Sequence, residues 1–409
     1  MRHLLVLLPV VLFAACGTSD APCGPANCGG CCSASGECVS GAANDACGTA
    51  GLACSVCSPQ QACMSKRCEA SSTVEMDAGI PDAGNPIVAQ PETWTWAPIA
   101  GSACGNGAET GVGVNVTTRT QDVLIYLQGG GACWNTLTCG VGAATNIDTG
   151  YDAADFAAEG TLNGGPFQRA TVNNPFKDMS FVFVPYCTGD VHSGDKVTTY
   201  PPFSAAGYTL PEKTVHHKGA RNMALIIDRL RDTFPNAQRI FISGSSAGAY
   251  GAQFNFPALK AAFPNAEVHS YADCGQMVNP SGTLLTEWVT SWNMQAPADC
   301  VGCTTDFTKF PKWLNDTYPQ SRFGLLAFTQ DNTLRQFFSY SPADFETQTR
   351  ALLSSAYDGE ANARYFVVGG NSHTMLGSFF TQQGPGTLSL RDWTAGFVAG
   401  DATWTNEKP

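Results

Sequence analysis

The chain has 409 residues, 44% hydrophobic and only 14% charged, with a formal net charge of −12 and a pI near 4.9. That balance permits a large buried core and two or three domains. No Lys/Arg run relieves the acidity, so the electrostatic footprint of a nucleic-acid partner is missing, and densely anionic polymers are disfavoured. Few charges beside many Gly, Ser, Thr and Ala suit an extracellular protein better than a cytosolic one.

The N-terminus agrees with export. Met1-Arg2-His3 is a short basic start, and Leu4 to Phe13 is apolar but too short for a permanent transmembrane helix. Leu12-Phe13-Ala14-Ala15-Cys16 resembles the lipobox of bacterial lipoproteins, in which the Cys is lipidated and becomes the new N-terminus. Phe13 stands where Leu or a small aliphatic residue is usual. Residues 1–16 are therefore read as a lipoprotein signal peptide with Cys16 as the lipid attachment. An ordinary signal peptide cut near Ala15 is the plainer alternative. The expected location is the bacterial cell envelope, lipid-anchored to the outer membrane or cell surface, or secreted.

Eighteen cysteines are too many for a cytosolic protein of this size, and ten of them lie between Cys23 and Cys68. Residues 17–70 carry almost no large aliphatics, so this segment cannot fold around an apolar core and needs staples. An oxidising compartment supplies disulfides. Cys28-x-x-Cys31 and Cys54-x-x-Cys57 have zinc-like spacing, but the segment holds no His, and the adjacent Cys31-Cys32 suits a disulfide knot. Residues 71–93, with a small Asp-Ala-Gly repeat and Pro86 and Pro91, read as a flexible linker.

Residues 94–409 have the composition of a globular domain. Continuous apolar runs at 123–127, 181–184, 240–242, 323–328 and 365–368 predict strands of a parallel sheet covered on both faces. Met223, Ile226, Ile227 and Leu230 recur at helical spacing within 220–231, and a second helix is predicted over 249–263, stopped by Pro264. The alternation predicts an α/β sandwich.

Gly244-Ser245-Ser246-Ala247-Gly248 follows the apolar run at 240–242 and precedes a helix. A G-x-S-x-G at such a junction is a nucleophile elbow, whose small flanking residues make a tight turn possible. Ser246 is the candidate nucleophile, and Ser245 is expected to pack beside the turn. The fold class becomes α/β-hydrolase-like: a mostly parallel sheet flanked by helices, preceded by a small disulfide-rich module. A triad in the order Ser, acid, His leaves His269 and His373 after the elbow. His269 lies within a strand-like run, whereas His373 follows the last apolar run in a loop, where it can reach the elbow. Asp331, directly after the run 323–328, is preferred over Asp273 as the acid, because the later strand keeps the chain order. An oxyanion hole needs backbone N–H groups. Ala247 offers one, and the glycines of Gln128-Gly129-Gly130-Gly131-Ala132 offer another.

Four ordered motifs then resemble the pectin acetylesterase/Notum family over about residues 95–400. They are Gln128-Gly-Gly-Gly-Ala-Cys133-Trp134-Asn135 with Cys139, Pro185-Tyr186-Cys187-Thr188-Gly189-Asp190 leading to Ser193-Gly194-Asp195, the elbow, and Asp273-Cys274-Gly275. The resemblance implies Gly130 and Gly131 in the oxyanion hole, Ser246, Asp331 and His373 as the triad, and a local Cys133–Cys139 disulfide. It gives Asp273 a structural role. Ala249 after the elbow and Cys274 before Gly275 depart from the family pattern. Seven cysteines in this region leave one unpaired, and Cys274 is the candidate. Cys300-x-x-Cys303 reads as a small loop disulfide.

These residues point to an extracytoplasmic serine carboxylic-ester hydrolase, needing no cofactor or metal, that removes acetyl or other acyl groups from a polysaccharide or surface macromolecule through an acyl-enzyme. The competing class is a non-catalytic binding or adhesion lipoprotein on a hydrolase scaffold. A serine peptidase would share the triad.

Overall fold

The computed structural model describes residues 22–43, 46–57, 61–64, 66–70, 86–205, 207–402 and 404–409. The export signal with Cys16, and residues 71–85 of the predicted linker, lie outside the described residues. Two compact units divide between Gly79 and Ile80.

The N-terminal unit is built from short antiparallel pairs, Cys31–Cys32 with Cys38–Val39, Ala42–Ala43 with Ala46–Cys47, and Gln61–Met64 with Arg67–Ala70. Five disulfides cross it: Cys23–Cys32, Cys28–Cys38, Cys31–Cys54, Cys47–Cys63 and Cys57–Cys68. Its buried hydrophobic side chains are themselves cysteines, which is how a segment without large aliphatics holds a shape.

The larger unit carries an eight-stranded sheet. In chain order its strands are β1 (Thr95–Ile99), β2 (Thr110–Asn115), β3 (Val123–Leu127), β4 (Ser180–Val184), β5 (Arg239–Ser245), β6 (Glu267–Asp273), β7 (Phe323–Phe328) and β8 (Ala363–Val368). They lie side by side as β1-β2-β4-β3-β5-β6-β7-β8. β2 pairs antiparallel with β1 and β4, and all other neighbours are parallel. Every residue of β3, β4 and β7 is buried, as expected for strands covered on both faces. All five apolar runs fall on strands of this sheet.

The predicted helix at 220–231 spans Gly219–Thr233 (α1) and turns Met223, Ile226, Ile227 and Leu230 into the core. The helix predicted over 249–263 is corrected: two helices form, α2 (Ala247–Phe254) and α3 (Phe256–Ala262), broken at Asn255. Pro257 causes the break, because it has no N–H to donate to Gln253 and its ring crowds that carbonyl. Residues 86–93, the described end of the predicted linker, pack on this unit. Ile87 is buried and its N–H donates to Thr233 Oγ1 at 3.0 Å. Among the described residues no helix is long and apolar enough to cross a membrane.

Candidate active site

Parallel register brings the C-terminal ends of the central strands to one edge. Gly244 pairs with Leu127, Ser245 with Asp273, and Asp273 with Leu326. Open parallel sheets assemble their sites in this crevice.

Ser246 follows β5 and caps α2 with φ 56° and ψ −124°, a conformation L-residues seldom adopt. The two flanking glycines make that turn possible. A Cβ on Gly248 would lie 1.9 Å from the carbonyl oxygen of Leu127, and one on Gly244 2.3 Å from that of Gly248. The turn is pinned by the Ser246 N–H donating to the Asp273 carbonyl at 2.8 Å. Ala247 opens α2, so its N–H belongs to the unsatisfied first turn and points with the helix dipole at the site.

Asp331 follows β7 and is fully buried. Its Oδ1 accepts the N–H groups of Thr333 (3.0 Å) and Leu334 (2.9 Å), capping helix α4 (Asn332–Phe337). That fixes the carboxylate and leaves Oδ2 for His373 Nδ1 at 2.7 Å. With Nδ1 engaged, Nε2 is the nitrogen left for proton transfer. The His373 side chain stays one-fifth exposed, on the loop after β8.

Three of the four other histidines after the signal peptide have separate jobs. His192 Nε2 meets the Gln128 carbonyl at 2.9 Å, and His217 is held between Tyr200 Oη (2.8 Å) and the Thr188 carbonyl (2.9 Å). His269, buried in β6 as its strand-like run suggested, accepts the Arg322 N–H. Burial pushes all three below the ordinary imidazole value, His192 and His217 to about 4 and His269 to about 3.

Asp273, the rival acid, does not meet the His373 ring. Its carboxylate accepts from Ser245 Oγ (2.7 Å) and from the N–H groups of Met375 and Leu376 (2.8 and 3.0 Å). It ties the His373 loop to the strand that carries the nucleophile, and burial raises its pKa. Ser245 thus packs beside the elbow as expected. Cys274, at φ 55°, is buried and is the unpaired cysteine among the described residues. Its Sγ accepts the Thr374 N–H at 3.2 Å. Cys274, Asp331 and His373 offer donor atoms within 4.8 Å of one another, Asp331 and His373 already sharing a hydrogen bond. Neither the Cys274 contact nor the loop-holding role of Asp273 is visible in the sequence, since both depend on the end of β6 meeting the loop after β8.

The disulfides Cys104–Cys187, Cys133–Cys139 and Cys300–Cys303 fasten the loops around this edge. Asp190, in the second motif, is a buried hub that accepts from Thr188 Oγ1 and the N–H groups of His192, Gly194 and Gly219. Burial lifts it to about 6.

Beside Ser246 opens a small apolar pocket with about 40 Å³ of room. Gly131, Ala132 and Ala247 share its wall with Ser246, and Tyr250, Trp288, Trp292, Phe307, Phe337 and Phe338 supply its aromatic surface. Gly130 is not part of that wall. It takes φ 150°, and a Cβ there would strike Thr145.

The sheet order and the site at its C-terminal edge define an α/β-hydrolase-like protein. The family model described as pectinacetylesterase matches residues 96–299. The chain is 28% identical over 163 residues to the palmitoleoyl-protein carboxylesterase NOTUM of Schmidtea mediterranea, covering 38% of this chain and 28% of that protein. It is 25% identical over 252 residues to pectin acetylesterase 11 of Arabidopsis thaliana, covering 56% and 59%. Similarity to palmitoleoyl-protein carboxylesterase notum2 of Xenopus laevis reaches 23% over 198 residues, 48% and 37% of the two chains. The chain therefore spans between about a quarter and three-fifths of the length of these relatives. The matches support a place in the pectin acetylesterase/Notum family. The family match includes the glycine loop, the elbow and Asp273 but ends before Asp331 and His373, whose pairing rests on geometry.

Proposed function

We propose that this protein is an extracytoplasmic serine carboxylesterase with Ser246 as nucleophile, His373 as general base and acid, and Asp331 as its orienting acid. The observation that carries the reading is the 2.7 Å His373 Nδ1–Asp331 Oδ2 bond, at the same sheet edge as the strained elbow of Ser246. Ser246 Oγ attacks the ester carbonyl while His373 takes its proton. The developing oxyanion meets backbone N–H groups of Ala247 and of the glycine loop at Gly130 and Gly131. The C–O bond then breaks, the alcohol leaves with the proton from His373, and water returns through the same base to free the acid.

The relatives' names mention both pectin acetyl groups and palmitoleoyl groups. The bulky side chains of Trp288, Trp292, Phe307, Phe337 and Phe338 crowd the pocket beside Ser246, which favours a short acyl group such as acetyl. Eight disulfides suit an oxidising compartment. Export through residues 1–16 with lipidation at Cys16 would place the esterase at the bacterial cell envelope, with an acylated carbohydrate or other surface ester as substrate.

The test is hydrolysis of p-nitrophenyl acetate, butyrate and octanoate by the protein with its disulfides formed, beside Ser246→Ala. Acetate is expected to be preferred, and Ser246→Ala to be inactive. A folded protein that is inert and unlabelled by a serine-reactive fluorophosphonate would instead favour a binding scaffold.

A further inference from the structure

A second, larger cleft of about 350 Å³ opens beside the reacting pair. Its wall includes Ser245, immediately before the nucleophile, and Thr374, immediately after His373. It shares no lining residue with the aromatic pocket. An ester has two halves, and the aromatic pocket beside Ser246 suits the acyl half. The alcohol half needs its own seat, and this cleft has the space and the position.

The chemistry of the wall narrows the ligand. Tyr126, Thr161, Ser245 and Thr374 bring hydroxyls, and the rings of Tyr126 and Phe167 meet edge to face at 5.4 Å and 87°. Ser245 Oγ donates to Asp273 Oδ2 at 2.7 Å. The far wall is braced. Glu159 accepts the Thr161 N–H at 2.9 Å, and its other oxygen accepts from Gln128 Nε2 (2.7 Å) and Tyr151 Oη (3.2 Å). Gly165, at φ 52°, approaches the Leu376 carbonyl so closely that a Cβ would lie 2.4 Å from it. No Lys or Arg lines the cleft among the described residues. The ionisable groups that act on Tyr126 are Asp273 and Glu159, both acids.

We propose that this cleft seats the alcohol half of the substrate, and that this alcohol is an uncharged carbohydrate rather than a uronate. The proposal rests on the esterase reading above. Hydroxyls and ring edges suit a neutral sugar, while a wall without Lys or Arg offers the carboxylate of a uronate no cationic partner. On acylation the sugar oxygen leaves Ser246-bound acyl carbon with the proton carried by His373, and the freed sugar departs through the cleft.

The experiment compares acetate release by the full chain from O-acetylated xylo-oligosaccharide and O-acetylated oligogalacturonide of equal length, with p-nitrophenyl acetate as reference. The neutral oligosaccharide is expected to give a kcat/KM at least roughly tenfold higher, the scale of one or two hydrogen bonds. Thr161→Trp, which fills the cleft, is expected to lower the ratio of xylo-oligosaccharide to p-nitrophenyl acetate activity by a similar factor. Equal or better turnover of the galacturonide, or an unchanged ratio in Thr161→Trp, overturns the proposal while the esterase reading stands. A wild type as inert as Ser246→Ala toward p-nitrophenyl acetate overturns the esterase reading and this one with it.

Discussion

Asp273 holds Met375, two residues beyond His373, by accepting its N–H at 2.8 Å from the end of the neighbouring strand β6. The same carboxylate takes the hydroxyl of Ser245 and the N–H of Leu376. One buried side chain thus sets the spacing between the nucleophile turn and the histidine loop without touching the imidazole. Asp273→Asn would turn an amide N–H₂ toward groups that are all donors. We expect kcat on p-nitrophenyl acetate to fall about 10–100-fold with KM nearly unchanged, the scale of a misplaced catalytic group. Steady-state kinetics checks this, and an unchanged kcat would show that the loop is held by other contacts.

Asp331 does two things with two oxygens, capping α4 with Oδ1 and orienting His373 with Oδ2. Substitutions can separate them. Asp331→Asn keeps an oxygen for the cap but lets the imidazole adopt the wrong tautomer, so kcat should fall about 10³–10⁴-fold at nearly unchanged Tm. Asp331→Ala should lose the same activity and about 1 kcal/mol of stability from the missing cap. Equal thermal stability in the two variants would show that the cap contributes nothing.

Much of this was legible from the chain because local rules coincide there. The apolar runs became strands, Ser246 sits in a turn that only Gly244 and Gly248 permit, and Asp331 and His373 sit at consecutive strand ends. What was not legible depends on lateral neighbours. The Asp273 bonds to Met375 and Leu376 span 102 and 103 residues, and the Cys274 bond to Thr374 spans 100. The aromatic pocket draws Trp288 and Trp292 from one helix (Leu284–Trp292) and Phe337 from α4, which no spacing in the sequence connects. The helix predicted over 249–263 failed because an apolar, alanine-rich pattern hid the effect of Pro257 on one hydrogen bond.

Two disulfides near the site should differ in weight. Cys104–Cys187 closes a separation of 83 residues and Cys133–Cys139 one of 6. Loop entropy in the unfolded chain then assigns about 4–5 kcal/mol to the first and about 2 kcal/mol to the second. The double Ala variant of Cys104 and Cys187 is expected to lower the denaturant midpoint clearly more than that of Cys133 and Cys139. The reverse order would mean that native-state contacts, such as the Trp292 indole donating to the Cys133 carbonyl, outweigh chain entropy.

Stability should decline on acidification between about pH 6 and 4. His192, His217 and His269 are held neutral by burial, at about 4, 4 and 3, and take up three protons if the chain unfolds below their ordinary value. Depressed histidines give stability that is present above the unfolded value and lost as pH falls. Asp190, raised to about 6, and Asp273, also raised, act the other way, since each binds a proton in the fold that it releases on unfolding. The three histidines outnumber the two carboxylates, so unfolding takes up protons on balance and stability falls as the pH falls. Denaturant unfolding at pH 7, 6, 5 and 4 measures the slope. A slope of the opposite sign would place the carboxylates above the histidines in weight.

The last prediction concerns thiols. Of eighteen cysteines, sixteen are joined in eight disulfides, leaving Cys274 and Cys16. Burial among carboxylates holds the Cys274 thiol well above its ordinary pKa, so it is both shielded and protonated at neutral pH. The native protein purified from its membrane fraction should therefore release no colour from 5,5′-dithiobis(2-nitrobenzoate). In denaturant without reductant it should release one equivalent, from Cys274, if Cys16 is lipidated as proposed, since a lipidated cysteine has no thiol left. Two equivalents would mean that Cys16 is free and the anchor reading wrong. Reaction in the native state would mean that solvent reaches Cys274, and with it the Thr374 N–H that its sulfur accepts beside His373.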